Sequence, residues 1–220
     1  MAGSKTYQWR DPAPMTLGVL IVLGVDAMVT AAGIALLAVW GRRSEIPVGE
    51  APHTAAQWAR LLLVLVATPA ALAGLLIIFW ILRVSRNAHV LKGRALQNSP
   101  IFSALWWWII PFMSVFKPVS AIDEIWEVSA ASPERRRQGR WVLGVWWASW
   151  IANGILAYVL VASRLNGIAQ IIKDADSVIV CATFAYIVSR ISAMQIEKHT
   201  VAVFSDGPER PLSVLERLNG

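Results

Sequence analysis

MTLGVLIVLGVDAMVTAAGIALLAVW, from Met15 to Trp40, carries one charged side chain, Asp26, in 26 residues. A helix rising about 1.5 Å per residue needs about 20 apolar residues to cross a hydrocarbon core of about 30 Å, so this stretch is long enough to span a bilayer. Two further runs, Leu61 to Leu82 and Trp141 to Ala162, carry no charge at all. A fourth, Ser177 to Met194, contains only Arg190, one turn from its end, where the cation can reach the interface while its stem stays in the apolar layer. Trp40, Trp58, Trp80 and Trp141 fall at the ends of these runs, the depth at which an indole buries its ring and keeps its N–H wet.

Working outward, the whole chain agrees with that stretch. Of 220 residues, 56% are apolar and 15% charged, and the mean hydropathy is +0.54; soluble domains are less apolar and carry more charge. Glycine and proline are dispersed, which excludes collagen-like and low-complexity chains. The single cysteine, Cys181, excludes an intrachain disulfide framework and a thiolate metal cluster.

Ile101 to Phe116 is apolar too, but its 16 residues reach only about 24 Å and Pro111 interrupts them. The distribution of Lys and Arg decides whether it crosses. If it does not, Lys5, Arg10, the nine cations from Arg83 to Arg140, Arg190, Lys198, Arg210 and Arg217 share the inner side, 15 against 5 outside. If it does, the better orientation gives only 12 against 8. The expectation is therefore an all-α integral membrane protein with four spans, 15–40, 61–82, 141–162 and 177–194, in a membrane domain over 15–195. Residues 1–14 and 196–220 would be cytoplasmic, and the bacterial inner membrane is the expected location. Between the second and third spans, 100–116 would form a re-entrant or interfacial segment rich in tryptophan.

Asn98-Ser99-Pro100 reads as a helix start, with Ser99 as the cap and Pro100 at the first helical position. Trp106, Trp107 and Trp108 would enter the interfacial zone, and Lys117-Pro118 would return the chain to the surface. Over 119–129, Val119, Ile122, Ile125 and Trp126 share one helical face, with Ser120, Asp123, Glu124 and Glu127 largely opposite, as in an amphipathic surface helix.

Trp80, Arg83, Arg86, Asn87 and Ala88, followed by Pro100, a tryptophan pair before Pro111, Lys117-Pro118 and Glu124-Ile125-Trp126, resemble an uncharacterised bacterial membrane family, domain-of-unknown-function family 4328. The resemblance is close from Leu76 to Ser129 and extends to the flanking spans by hydropathy. This chain departs from it by one extra residue between Pro100 and Pro111 and by Ser114 where an asparagine is expected. Membership implies four helices in a bacterial membrane and brings no activity with it.

Asp26 lies near the middle of its span, where an ionised carboxylate is costly. Thr68, Ser149, Asn153 and Thr183 lie at similar depth, can all hydrogen-bond and are not cationic, so burial would favour the protonated form of Asp26. An interhelical tie outweighs a proton relay as the reading of this polar layer. Arg83, Arg86 and Asn87 could pair with Asp123, Glu124 and Glu127 or grip an anionic lipid. Trp106, Trp107, Trp108, Lys117, Trp126, Arg135, Arg136 and Arg137 complete the expected lipid or partner contacts. The arginine run is a topology signal rather than a nucleic-acid patch, because the aromatic residues lie in the apolar segments.

His53, His89 and His199 fall outside the spans, and no nucleophile, zinc or phosphate-loop motif occurs, so no cofactor, metal or enzymatic activity is expected. Three functions remain. The first is a non-catalytic accessory or interaction subunit of a larger membrane assembly; the second, a small channel or proton-coupled transporter using Asp26; the third, an anionic-lipid-binding or membrane-organising protein. The expected partners are the bilayer and other membrane subunits, with no nucleic acid.

Overall fold

The computed structural model describes residues 7–40, 52–92, 96–110, 112–163 and 168–205. The side chains of Trp40, Trp58, Thr68, Trp106 and Trp107, and the tail from 206 onward, lie outside what it describes. Among the described residues every regular element is helical: α1 Ala13–Trp40, α2 Pro52–Lys92, a π-helical turn Phe102–Trp106 leading into α3 Trp107–Ile109, α4 Met113–Ser129, α5 Pro133–Ser163 and α6 Ile168–Ser205. Four of these, α1, α2, α5 and α6, are long and apolar enough to cross a membrane. The protein is an all-α, multi-pass membrane protein with two short helices between its second and third long ones.

Local chemistry sets the boundaries. Asp11 Oδ1 accepts the N–H of Ala13 at 2.9 Å, satisfying one of the free amides that open α1. Ser99 Oγ accepts the N–H of Phe102 at 3.5 Å and Ser99 O that of Ser103 at 2.9 Å, so the helix start expected at Pro100 forms. Helix α3 stops at Ile109, and Phe112 takes φ 62° before α4 begins. A bulky residue in the left-handed region marks a sharp reversal of the chain.

That reversal corrects the expected surface helix over 119–129. Helix α4 starts at Met113, and Lys117 and Pro118 lie within it rather than leading back to the surface. Its polar face is as expected, but its apolar face is protein core: Ile122, Ile125 and Trp126 are buried. They pack against the bundle because the short segment before α4 leaves a slot between α2, α5 and α6 that these side chains fill.

Helix α6 is the hub, packing on α1, α2, α4 and α5. The core is concentrated at one end of the bundle, where α1 begins and α6 ends, through Val19 and Leu23, Trp80, Ile81 and Val84, Leu143 and Trp146, and Ile187, Val188 and Ile191. Both α2 and α6 run past their apolar stretches there, to Lys92 and Ser205.

Candidate functional site

At that end, polar side chains tie the elements together. Asn87 is fully buried. It clamps the backbone of Arg10 from both sides, with Arg10 N–H donating to Oδ1 at 3.1 Å and Nδ2 donating to Arg10 O at 2.8 Å. Nδ2 also reaches Gln195 Oε1 at 3.3 Å, while Gln195 Nε2 donates to Val84 O at 2.9 Å and Ser129 Oγ at 3.3 Å. One network therefore joins the N-terminal segment, α2, α4 and α6. Nearby, Thr16 and Ser192 share a hydroxyl hydrogen bond of 2.6 Å, and Trp80 Nε1 donates to Ser192 Oγ at 3.1 Å. Trp9 stacks on His199 at 4.1 Å, and Tyr7 meets the edge of His89 at 5.0 Å.

These contacts correct three expectations. Trp80, expected as an interfacial anchor, is a core residue whose indole N–H is satisfied inside the bundle. Asn87 holds the chain's own N-terminal segment instead of a lipid or partner. The expected pairing of Arg83, Arg86 and Asn87 with the acids of α4 does not form among the described residues. Glu124 accepts the backbone N–H groups of Gln97 and Asn98 at 2.6 and 3.1 Å, because a non-helical turn leaves these amides without carbonyl partners. Arg83 instead donates to Asp11 O at 3.0 Å, and Arg86 is exposed. Sequence reading missed Thr16, Ser192 and Gln195. Ser192 and Gln195 share a helical face with Val188 and Ile191; Gln195 was lost because the fourth apolar run was cut at Met194, and Thr16 and Ser192 because they stand inside runs read only as apolar.

Further along the bundle, the expected polar layer is only partly assembled. Asp26 Oδ2 accepts from Cys181 Sγ at 3.5 Å, and Asn153 Nδ2 donates to Ser177 Oγ at 2.7 Å and Lys173 O at 3.1 Å. Asp26, Asn153, Ser177 and Cys181 line one open cleft of about 830 Å³, with Tyr158 and Val115. Thr183 turns its hydroxyl to the carbonyls of Ile179 and Val180 on its own helix, and Ser149 is half-buried on α5. Cys181 was missed because depth-counting pointed to Thr183, two residues on.

The tryptophans form a third cluster. Trp108 meets Trp146 and Trp150 at centroid distances of 6.4 and 6.2 Å, Trp147 stacks on Trp150 at 4.9 Å, and Trp146 packs on Phe184 at 5.1 Å. Trp108 Nε1 donates to Ser103 O at 3.1 Å, inside the π-helical turn. Together with Leu105 and Ile109, the rings of Trp108, Trp146, Trp150 and Phe184 wall an apolar cavity of about 380 Å³. Trp126, expected as an outward contact, is buried instead and donates Nε1–H to Arg135 O at 2.9 Å, so it joins α4 to α5. Of the basic run, Arg135 pairs with Glu197 at 2.7 Å while Arg136 and Arg137 are exposed. Lys117 is half-buried on α4.

The family model described as "Domain of unknown function (DUF4328)" matches residues 46–199, well over half of the chain. No curated protein and no solved structure matches it.

Proposed function

Since the chain belongs to the DUF4328 family, whose domain has no known function, we propose that it is a non-catalytic integral membrane protein serving as an accessory or interaction subunit of a larger inner-membrane assembly. One observation carries this reading: the buried amides of Asn87 and Gln195 at the core-rich end are committed to ties between the chain's own elements, from Arg10 to Ser129. A scaffold braced in this way works through its outer faces. Both termini lie in the cytoplasm, following the distribution of basic residues.

In the same reading 100–116 is a re-entrant hairpin, with α4 as its returning leg. Trp146 and Trp150 follow Trp141 by five and nine residues, about 8 and 14 Å further along α5. Contact of Trp108 with both supports insertion of the segment to that depth. Most of its backbone is helical and so satisfies its own hydrogen bonds, and Ser103 and Ala104 are buried against the bundle.

The test is extraction in a mild detergent from native membranes, followed by tagged pull-down and native mass measurement. A stoichiometric complex containing other membrane subunits is expected; a lone monomer or homo-oligomer would overturn the accessory role. A second reading, a proton or cation path, is favoured by Asp26 and Asn153 sharing one cleft. It requires ion flux in proteoliposomes that Asp26→Asn abolishes while the variant stays monodisperse; wild-type vesicles without flux remove it.

A further inference from the structure

A pocket of about 340 Å³ lies beside the clamped N-terminal segment, lined by Tyr7, Arg10, Arg83, Arg86, Pro100 and Ile101 among others. The clamp explains why its cations converge. Asn87 fixes the backbone of Arg10 against α2, and Arg83 fixes that of Asp11, so Arg10 is held beside two arginines one turn apart on α2.

Among the described residues no acidic side chain lines the pocket or forms an ion pair with them. The side chains of Arg10 and Arg86 form no hydrogen bond or ion pair with a described residue, and Arg83 uses its N–H on a carbonyl. The acids nearby are engaged elsewhere: Asp11 Oδ1 holds the N–H of Ala13, and both Glu124 oxygens hold the turn at Gln97 and Asn98. Three like charges around one small volume repel one another, and an anion between them relieves that repulsion. Guanidinium groups present planar forks that match phosphate oxygens.

The apolar part of the lining decides which phosphate. Pro100 and Ile101 also line the pocket, and Ile101 is exposed and followed in the chain by exposed Phe102, where the tryptophan-rich segment begins. A soluble anion gains nothing from that apolar side, whereas a lipid places its head group on the arginines and its chain along Ile101 and Phe102. We propose that this pocket binds the phosphate head group of an anionic phospholipid. The proposal rests on the multi-pass membrane architecture and not on the accessory role, so a failed pull-down leaves it standing.

The experiment uses the full chain in mild detergent, with native mass spectra and melting curves recorded after adding phosphatidylglycerol, phosphatidylcholine or inorganic phosphate. Phosphatidylglycerol should be retained about tenfold more tightly than phosphatidylcholine, equivalent to about 1.4 kcal/mol, and should raise the melting temperature. The double variant Arg10→Gln/Arg86→Gln should lose that preference, and Arg210→Gln/Arg217→Gln, which removes the same charge from the C-terminal tail, should keep it. Equal retention of the two lipids, or an undiminished preference in the Arg10/Arg86 variant, overturns the proposal. So does inorganic phosphate protecting as well as the lipid, which would make this a site for a soluble anion. If the double variant does not fold, Arg86→Gln alone decides, since it removes an exposed side chain that ties no other described element.

Discussion

A β-carbon at Gly139 would run into the indole of Trp126, which is buried and hydrogen-bonded to Arg135 O. In an exposed helix Gly→Ala gains up to about 1 kcal/mol from propensity. Here overpacking costs about 1–3 kcal/mol, because the ring is enclosed and cannot swing away without breaking its hydrogen bond. Gly139→Ala should therefore lower the melting temperature in detergent, and adding Trp126→Leu should recover part of the loss, the coupling expected of residues in contact. An unchanged or raised melting temperature for the single variant would contradict the close packing of α4 on α5. The sequence offered no warning at this position: Gly139 lies inside a polar stretch, and only the approach of a second helix makes its missing side chain matter. Trp126 itself was legible as apolar-face, because its spacing from Ile122 and Ile125 is helical.

Among elements, α4 carries the plainest electrostatic cost. Asp123 has its carboxyl pKa raised from the ordinary 3.8, first by burial and then by the charge of Glu127, with Arg140 opposing. Its Oδ1 is buried with no hydrogen-bond partner among the described residues. A carboxyl whose folded pKa lies above its unfolded value binds its proton more tightly when folded, so stability rises as pH falls through the folded pKa towards 3.8. Above that window the buried charge is a penalty. Asp123→Asn should accordingly raise the melting temperature at neutral pH, and the gain should shrink as the buffer is acidified below the folded pKa. A loss at neutral pH would mean that the carboxylate is satisfied by its attraction to Arg140, and a gain independent of pH would mean that the charge of Asp123 is not its source. The helix start at Ser99-Pro100 was readable because capping is local. The start of α4 at Met113 was not, since nothing in the local sequence outweighs the signals of Lys117-Pro118; the buried slot between α2, α5 and α6 does.

At the scale of the whole molecule, the four apolar helices and the proposed hairpin between the second and third of them make one topological prediction. The turn joining α4 to α5 should face the cytoplasm together with the run Arg135–Arg137. A Ser132→Cys variant, made with Cys181 changed to serine, should react with a membrane-impermeant maleimide only after the inner face is exposed. Labelling from the periplasmic side would place 100–116 across the bilayer and reverse α5 and α6. The inner-face prediction draws on the count of Lys and Arg.

The sequence by itself determined the helical class, the four apolar helices and the family, because length, hydropathy and motif spacing are local quantities that the bilayer reads directly. It also placed Asp26 and Asn153 at depths compatible with one cleft. Which polar groups actually meet was decided only by tertiary structure. Asp26 meets Cys181, Asn87 holds Arg10, Gln195 joins α6 to α2 and α4, and Trp80 turns inward to Ser192. Each of these contacts joins residues far apart in the chain, and each depends on helix rotation and on axial offsets of one or two residues. Hydropathy is blind to both, since it records how deep a side chain lies and not which neighbour it faces.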